Sequence, residues 1–361
     1  MVISQKQITV RGDFEIIDQG NSENVRSIKD ELAGEKGTRQ TRLKLVIDLG
    51  NGDVKALGRS GSPHEEVWQK TKFPSAIAQT MANPDFVLNG QGFIVGKEAR
   101  TQGGRKSGRT SSGKIENAPL LIAKALVELF DLSQSAYVVD VIFSCPSCKQ
   151  YGSLIKDAIA SLGERWRLEF VDNKGQQRTT TIYTRHLKDH LECYFAVYEL
   201  APKLLGKKPV ALIDIGDRTQ INQEMRANMQ IVSRSVADDA GVRKLTKILR
   251  SQEVLANFDG VPLTPSDEDL MSVLFARKNA KNDALIELLT PYMQNAFSDA
   301  IAYANEQLAK GCAVYVIGGG AGLCGLRSLF PNKVKFPRSS QWSNVRGLAN
   351  QWNALIGSGV A

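Results

Sequence analysis

Histidine is scarce in this chain: three residues among 361, against 46 lysines and arginines. Cysteine is scarce too. The five cysteines (Cys145, Cys148, Cys193, Cys312, Cys324) form an odd, scattered set, unlike a disulfide framework. Cys145-Pro-Ser-Cys148 has the spacing of a redox motif or half a metal site. No second CxxC or Cys/His pair completes a tetrahedral set, so the cysteines are read as structural thiols, packed as small hydrophobes. No apolar run approaches the ~20 residues needed to cross a bilayer. The N-terminal stretch lacks the apolar core of a secretory leader. The expectation is a cytoplasmic protein without membrane contact.

A hydrophobic fraction of 42% and a charged fraction of 23% belong to an ordinary globular protein, long enough for two domains with cores of their own. The net charge of +8 favours an acidic partner. Much of that charge is local. Residues 97–114 hold six Lys or Arg against one Glu, interleaved with Gly and Ser, and read as a basic loop.

Residues 1–42 are polar and weakly periodic, and read as an N-terminal extension, with short strands at Gln7–Val10 or Phe14–Ile17 the only structure suggested. Alternation then starts at Leu43, Leu45 and Ile47. Strands are also expected at 86–89, 92–95, 138–143, 210–215, 229–236 and 313–317, with a hairpin pairing 165–171 and 177–183. Helices are expected at 118–130 capped by Asn117, at 151–162, 191–204 and 241–250, through most of 266–310 from a Ser266 cap, and at 342–356.

Three glycine-bearing turns follow buried strands. In the first, Asp48-Leu-Gly50-Asn51-Gly52-Asp-Val-Lys55, the glycines allow a tight turn that aims N–H groups at an anion. Lys55 can reach a phosphate, and Asp48 can hold Mg²⁺ through water. Asn51-Gly52 is equally a strong hairpin signal, and both readings can hold at once. The second, Asp214-Ile-Gly216-Asp217-Arg218-Thr219, repeats the strand–Asp–x–Gly pattern and adds a hydroxyl for a terminal phosphate. The third is Gly318-Gly319-Gly320-Ala321-Gly322. None is a G-x-x-x-x-G-K-[ST] loop, and the third has no acidic residue about 20 positions on, as a dinucleotide fingerprint requires. Two aspartates at strand ends in separate lobes would bracket one metal–phosphate group.

In this order and at these lobe-sized gaps, the three segments resemble the phosphate-1, phosphate-2 and adenosine motifs of the actin and heat-shock ATPase superfamily. Within it the chain is most similar to bacterial plasmid-segregating actin-like ATPases of the ParM/StbA type and their archaeal relatives. Lys72-Phe-Pro-Ser-Ala-Ile77, Gly92-Phe-Ile-Val-Gly96, Ser144-Cys-Pro-Ser with Tyr151, and Arg218-Thr219 resemble further segments of that group. The resemblance spans roughly residues 43–357. It departs at Asp217, where many members have a second glycine, and at Cys193–Ala196, which lacks the usual glycines.

The resemblance implies an α/β, actin-like two-lobe fold, each lobe an RNase H-like mixed sheet flanked by helices, with nucleotide in the interlobe cleft. Lobe I would be residues 43–190 completed by the C-terminal helix 342–361, and lobe II residues 191–341. ATP or GTP with Mg²⁺ would be the cofactors. Asp48, Asp214 and Glu192 would be catalytic, Glu192 orienting the attacking water from the helix that joins the lobes. Gly50, Asn51, Gly52, Lys55, Gly216, Asp217, Arg218 and Thr219 would bind phosphates. Gly318, Gly319, Gly320 and Ala321 would admit the nucleoside. The implied function is a filament-forming ATPase of DNA segregation that self-associates. A DNA-bound adaptor is the preferred partner over direct DNA contact through the basic loop. A non-polymerising kinase or a nucleotide sensor of the same fold is the alternative.

Overall fold

Alternation along the central strands gives each sheet two buried faces, and those faces place the cleft. The computed structural model describes residues 41–60, 67–102, 104–106, 111–251, 266–275 and 280–356. Most of the expected N-terminal extension, with its suggested strands, lies outside these. The first sheet contains β1 (Thr41–Asp48), β2 (Asp53–Ser60), β3 (Gln69–Pro74), β4 (Ala76–Gln79), β5 (Phe86–Leu88), β6 (Gln91–Val95), β7 (Arg105–Lys106), β8 (Ala136–Cys145), β9 (Arg165–Val171) and β10 (Gln177–Leu191). Its order is β3-β2-β1-β8-β10-β9-β5-β6-β4-β7. β8 pairs in parallel with both β1 and β10, whereas β1, β2 and β3 run antiparallel. The second sheet contains β11 (Val210–Ile215), β12 (Thr219–Met225), β13 (Ile231–Asp238) and β14 (Ala313–Ile317), in the order β13-β12-β11-β14. There β11 and β14 form the parallel pair.

In β1, Leu43, Leu45 and Ile47 enter a core with Phe143 and with Leu121, Ile122 and Leu126 of the helix Ala118–Leu129. Val46 and Ile142 point to the opposite face, under Trp342, Val345, Leu348 and Trp352. The second sheet divides the same way. Ile213, Ile215, Val314 and Val316 face Leu245, Met293 and Phe297, while Leu212, Tyr315 and Ile317 face Ala196 and Val197. Strands covered on both faces must be apolar almost throughout, which is why VALIDI, broken only by Asp214, and AVYVI read as apolar runs.

Two helices join the outer face of the first sheet to one face of the second. The helix Ser343–Asn350 packs on β1 and β2 and crosses the helix Ala196–Leu200. Gly347 makes the crossing close, since a Cβ there would stand 2.0 Å from the Phe195 carbonyl oxygen.

Four expectations need correction. Residues 191–204 are not one helix. β10 keeps its pairing with β8 to Leu191, Cys193 turns the chain with φ 72°, and Pro202 confines the remainder to the short helix Ala196–Leu200 and a 3₁₀ turn. The C-terminal helix is divided into Ser343–Asn350 and Trp352–Ile356. The basic stretch 97–114 is not one loop: it includes the helix Lys97–Thr101, strand β7 and the start of the helix Ser111–Glu116, while residues 103 and 107–110, Arg109 among them, lie outside the described residues. Asn117 does not cap by its side chain, which donates back to the Gly113 carbonyl at 2.7 Å. Ser266 does cap, in a reciprocal box with Asp269. Among the described residues no helix is long and apolar enough to cross a membrane.

Gly347→Ala should lower stability by about 1–3 kcal/mol, the usual cost of overpacking. Urea unfolding would measure it, and an unchanged midpoint would contradict the close crossing.

Candidate functional site

Both sheets end their parallel central strands at one cavity of about 530 Å³, as open α/β sheets commonly do. β1 delivers Asp48 and the hairpin turn Leu49–Gly52, and β2 returns Lys55. β11 delivers Asp214 and Gly216, and β12 begins at Thr219. Asp48, Gly50, Asn51, Gly52 and Lys55 line the cavity from one side, and Asp214, Gly216, Asp217 and Thr219 from the other. Gly318, Gly319 and Gly320 close it at the end of β14, and Glu192 also reaches it. Two of the expected residues are not on its wall. Arg218 pairs with Asp239 at 3.1 Å, and Ala321 sits within the 3₁₀ turn Gly320–Gly322.

The three central charges hold one another. Lys55 Nζ lies 3.4 Å from Asp48 Oδ2, with 12% of the lysine side chain exposed. Burial opposes the ammonium charge, but the carboxylates of Asp48, Asp214 and Asp53 outweigh it and raise the Lys55 pKa. Ser144 Oγ donates to the other Asp48 oxygen at 3.0 Å. Asp214 is 7% exposed, and burial pushes its pKa above the usual aspartate value, with the nearby Asp48 charge acting in the same direction. Asn344 Nδ2 donates to Asp214 Oδ2 at 2.8 Å, while Asn344 Oδ1 accepts the Cys193 N–H at 3.0 Å. One side chain of the C-terminal helix therefore fixes both the carboxylate and the backbone turn after β10.

The glycines are required by space. Gly318 has φ 88°, and a Cβ on it would lie 2.1 Å from Asp214 Oδ1. A Cβ on Gly50 would lie 2.3 Å from the Asp53 carbonyl oxygen. Ser75, from the Phe-Pro-Ser segment, braces the first turn by donating Oγ to the Asn51 carbonyl at 2.6 Å and its N–H to that of Gly52 at 3.1 Å. The second turn rests on the start of the helix Val242–Ser251, whose Val242 and Arg243 N–H groups donate to the carbonyls of Gly216 and Asp217. Arg243 also pairs with Asp217 at 3.1 Å, offsetting the carboxylate that departs from the glycine pattern.

Glu192 follows β10 directly, on a turn rather than the expected helix. Its N–H donates to the Cys145 carbonyl at 3.0 Å. Arg234 of β13 donates to the Glu192 carbonyl at 3.0 Å, to the Pro146 carbonyl at 2.9 Å and to Gln223. Sequence reading missed Ser144, Asn344 and Arg234, along with the cavity-lining basic groups Lys72, Arg100 and Arg338. Lys72, Ser144 and Arg100 carried a signal, being inside segments already singled out. The others come from distant elements with no local pattern.

No family model and no curated protein matches this chain. Solved structures do. The fold is that of the actin-like two-lobe proteins. The archaeal actin homolog Ta0583 superposes with a TM-score of 0.60 at 20% identity, covering 84% of this chain and 97% of that one. The subunit of a 15-stranded ParM filament from Clostridium botulinum gives 0.60 at 16%, covering 86% and 99%. ParM from Bacillus thuringiensis with AMPPNP gives 0.58 at 14%, covering 87% and 99%.

Asp214→Asn yields a pH prediction. A carboxyl whose folded pKa is raised penalises folding at pH above that value. The penalty fades as pH falls toward the ordinary value of 3.8 and is absent below it. The variant should therefore melt higher than wild type at pH 7.5, with the gap closing near pH 4. A gap independent of pH in thermal melts would refute it.

Proposed function

We propose that this protein is an actin-like nucleoside triphosphatase that assembles into filaments when it binds ATP or GTP with Mg²⁺, and whose hydrolysis weakens the filament. The observation that carries this reading is the convergence of two strand–Asp–x–Gly turns from separate sheets on one cavity, with Lys55 and Glu192 between them. The donor set suits a metal–triphosphate. It offers hard carboxylate oxygens, a lysine, and turns in which Gly50 and Gly318 leave no room for a Cβ.

In this reading the Gly50–Gly52 and Gly216–Thr219 turns hold the phosphates with backbone N–H groups, and Lys55 and the Thr219 hydroxyl contact them directly. Asp48 and Asp214 would hold Mg²⁺ through its water shell, where the ion neutralises phosphate charge. Ser144 and Asn344 keep the two carboxylates aimed. Glu192 accepts a hydrogen bond from the attacking water and orients it in line. Gly318, Gly319 and Gly320 give the nucleoside a flat approach. Arg218 acts on the turn through Asp239, and Ala321 through the 3₁₀ turn that carries it. Asp217, neutralised by Arg243, does not repel phosphate.

We take residues 43–190 with the C-terminal helix as one lobe and residues 191–341 as the other. Self-association is supported by the likeness to a subunit from a ParM filament. Nucleotide binding is supported by the likeness to a ParM structure with AMPPNP. A task in DNA segregation, a DNA-bound adaptor and the less favoured direct DNA contact within residues 97–114 rest on the resemblance of the motifs and on the net charge.

Wild-type protein with Mg²⁺-ATP or Mg²⁺-GTP should pellet above a critical concentration and release phosphate, and Glu192→Ala should cut phosphate release by on the order of 100-fold while keeping nucleotide affinity. Soluble protein at every concentration with either nucleotide would eliminate the filament. Turnover that depends on an added small substrate and not on protein concentration would point to a kinase. Unchanged turnover in the variant would remove Glu192 from the mechanism.

A further inference from the structure

The Cys145-Pro-Ser-Cys148 turn lies outside the cavity and carries chemistry of its own. Cys145 ends β8, and its Sγ is 3.6 Å from that of Cys148, which opens a π turn (Cys148–Gly152) before the helix Ser153–Ala160. The third ligand that the sequence did not reveal comes from β10. Leu191 pairs with Cys145 and Asp189 with Phe143, so Asp189, two residues back, leaves its strand on the same side as Cys145. The two sulfurs and a carboxylate oxygen all lie within 4.8 Å of one another. The chain is shaped around that carboxylate: a Cβ on Gly152 would be 1.9 Å from Asp189 Oδ2. Lys156 Nζ holds Asp189 Oδ1 at 2.5 Å.

We propose that Cys145, Cys148 and Asp189 form a binding site for a thiophilic divalent cation of the zinc class. Zinc–sulfur bonds of ~2.3 Å at tetrahedral angles place two sulfurs ~3.8 Å apart, close to the separation seen. Thiolates favour such ions over Mg²⁺ and Ca²⁺, which take oxygen ligands, so the site is chemically separate from the cleft. On binding, both thiol protons pass to solvent. Two thiolates and a carboxylate then carry one negative charge more than the dication offsets, and the Lys156 ammonium balances it. Three protein ligands leave a tetrahedral position for water. Cys148 and Asp189 are half-buried, which gives the ion an entry. The site adjoins the proposed catalytic turn, because the Cys145 carbonyl accepts the Glu192 N–H and the Pro146 carbonyl accepts from Arg234. Occupancy should stiffen that turn.

Reduced, chelator-stripped full chain would be titrated with Co²⁺ and then Zn²⁺, without nucleotide. One cobalt per chain should bind with sulfur-to-cobalt charge-transfer absorption that Zn²⁺ abolishes. Cys148→Ser and Asp189→Asn should each weaken binding by at least the ~10-fold that loss of an outer-shell partner costs. In the unmutated protein, Zn²⁺ should also shield the half-buried Cys148, but not Cys324, from alkylation, a readout independent of how the variants fold. The proposal is overturned by absence of the band in wild type, by a band that survives Cys148→Ser, by a Cys148 that zinc leaves unshielded, or by conversion of the pair to a disulfide under the same reducing conditions.

Discussion

Asp48, Asp214 and Lys55 are held together largely out of water where two sheets meet, and the remaining architecture serves to keep them there. Two carboxylates at strand ends repel one another and lose solvation, so each needs its own partners. Asp48 has Lys55 and Ser144, and Asp214 has Asn344. These partners come from β2, β8 and the C-terminal helix, so the order of the strands and the seating of that helix are conditions for the charge cluster to exist. The raised pKa of Asp214 records the remaining cost. A site that is destabilising when empty of counter-charge is suited to a cationic or polyphosphate–metal ligand, since binding relieves the strain.

The seam between the sheets is built mostly from backbone contacts. Arg234 grips the carbonyls of Glu192 and Pro146, Asn344 receives the Cys193 N–H, and Gly347 lies against Phe195. Backbone groups fix position without fixing side-chain identity, so the residues between 192 and 195 can serve the cavity while their carbonyls serve the seam. Cys193, at φ 72°, is the joint. It takes the place of the glycine that the motif pattern leads one to expect, and its buried thiol also approaches Asp214, 3.7 Å away. The proposed cation site lies one residue from this seam, since Cys145 is itself the acceptor for Glu192. Two kinds of chemistry, oxygen-liganded and sulfur-liganded, would then share the end of β8.

What could be read from the chain was whatever leaves a local trace. Leu43, Leu45 and Ile47 announced a strand by alternation, and VALIDI and AVYVI announced buried strands by apolarity broken only at Asp214. Gly50, Gly52, Gly216 and Gly318 marked turns, and at Gly50 and Gly318 only glycine tolerates the approach of the Asp53 carbonyl and of Asp214. Local traces also misled. Residues 191–204 have helical composition, yet β8 offers Leu191 and its predecessors a parallel edge, and pairing with that edge overrides propensity. Residues 97–114 look like loop because Gly and Ser interleave with the basic residues, yet β4 gives Arg105 and Lys106 a strand partner.

The sequence by itself determined the three turns, the strands that feed them and the order in which they occur, because backbone turns and strand burial depend on residues adjacent in the chain. Only the tertiary structure decided which side chains those turns would meet. Asn344 finds Asp214 across 130 positions, Ser144 finds Asp48 across 96, and Asp189 joins two cysteines more than forty residues earlier, because parallel pairing and helix packing bring distant segments together. A hydrogen bond between such partners leaves no periodicity in the chain. It exists only after the sheets have registered and the C-terminal helix has packed against them.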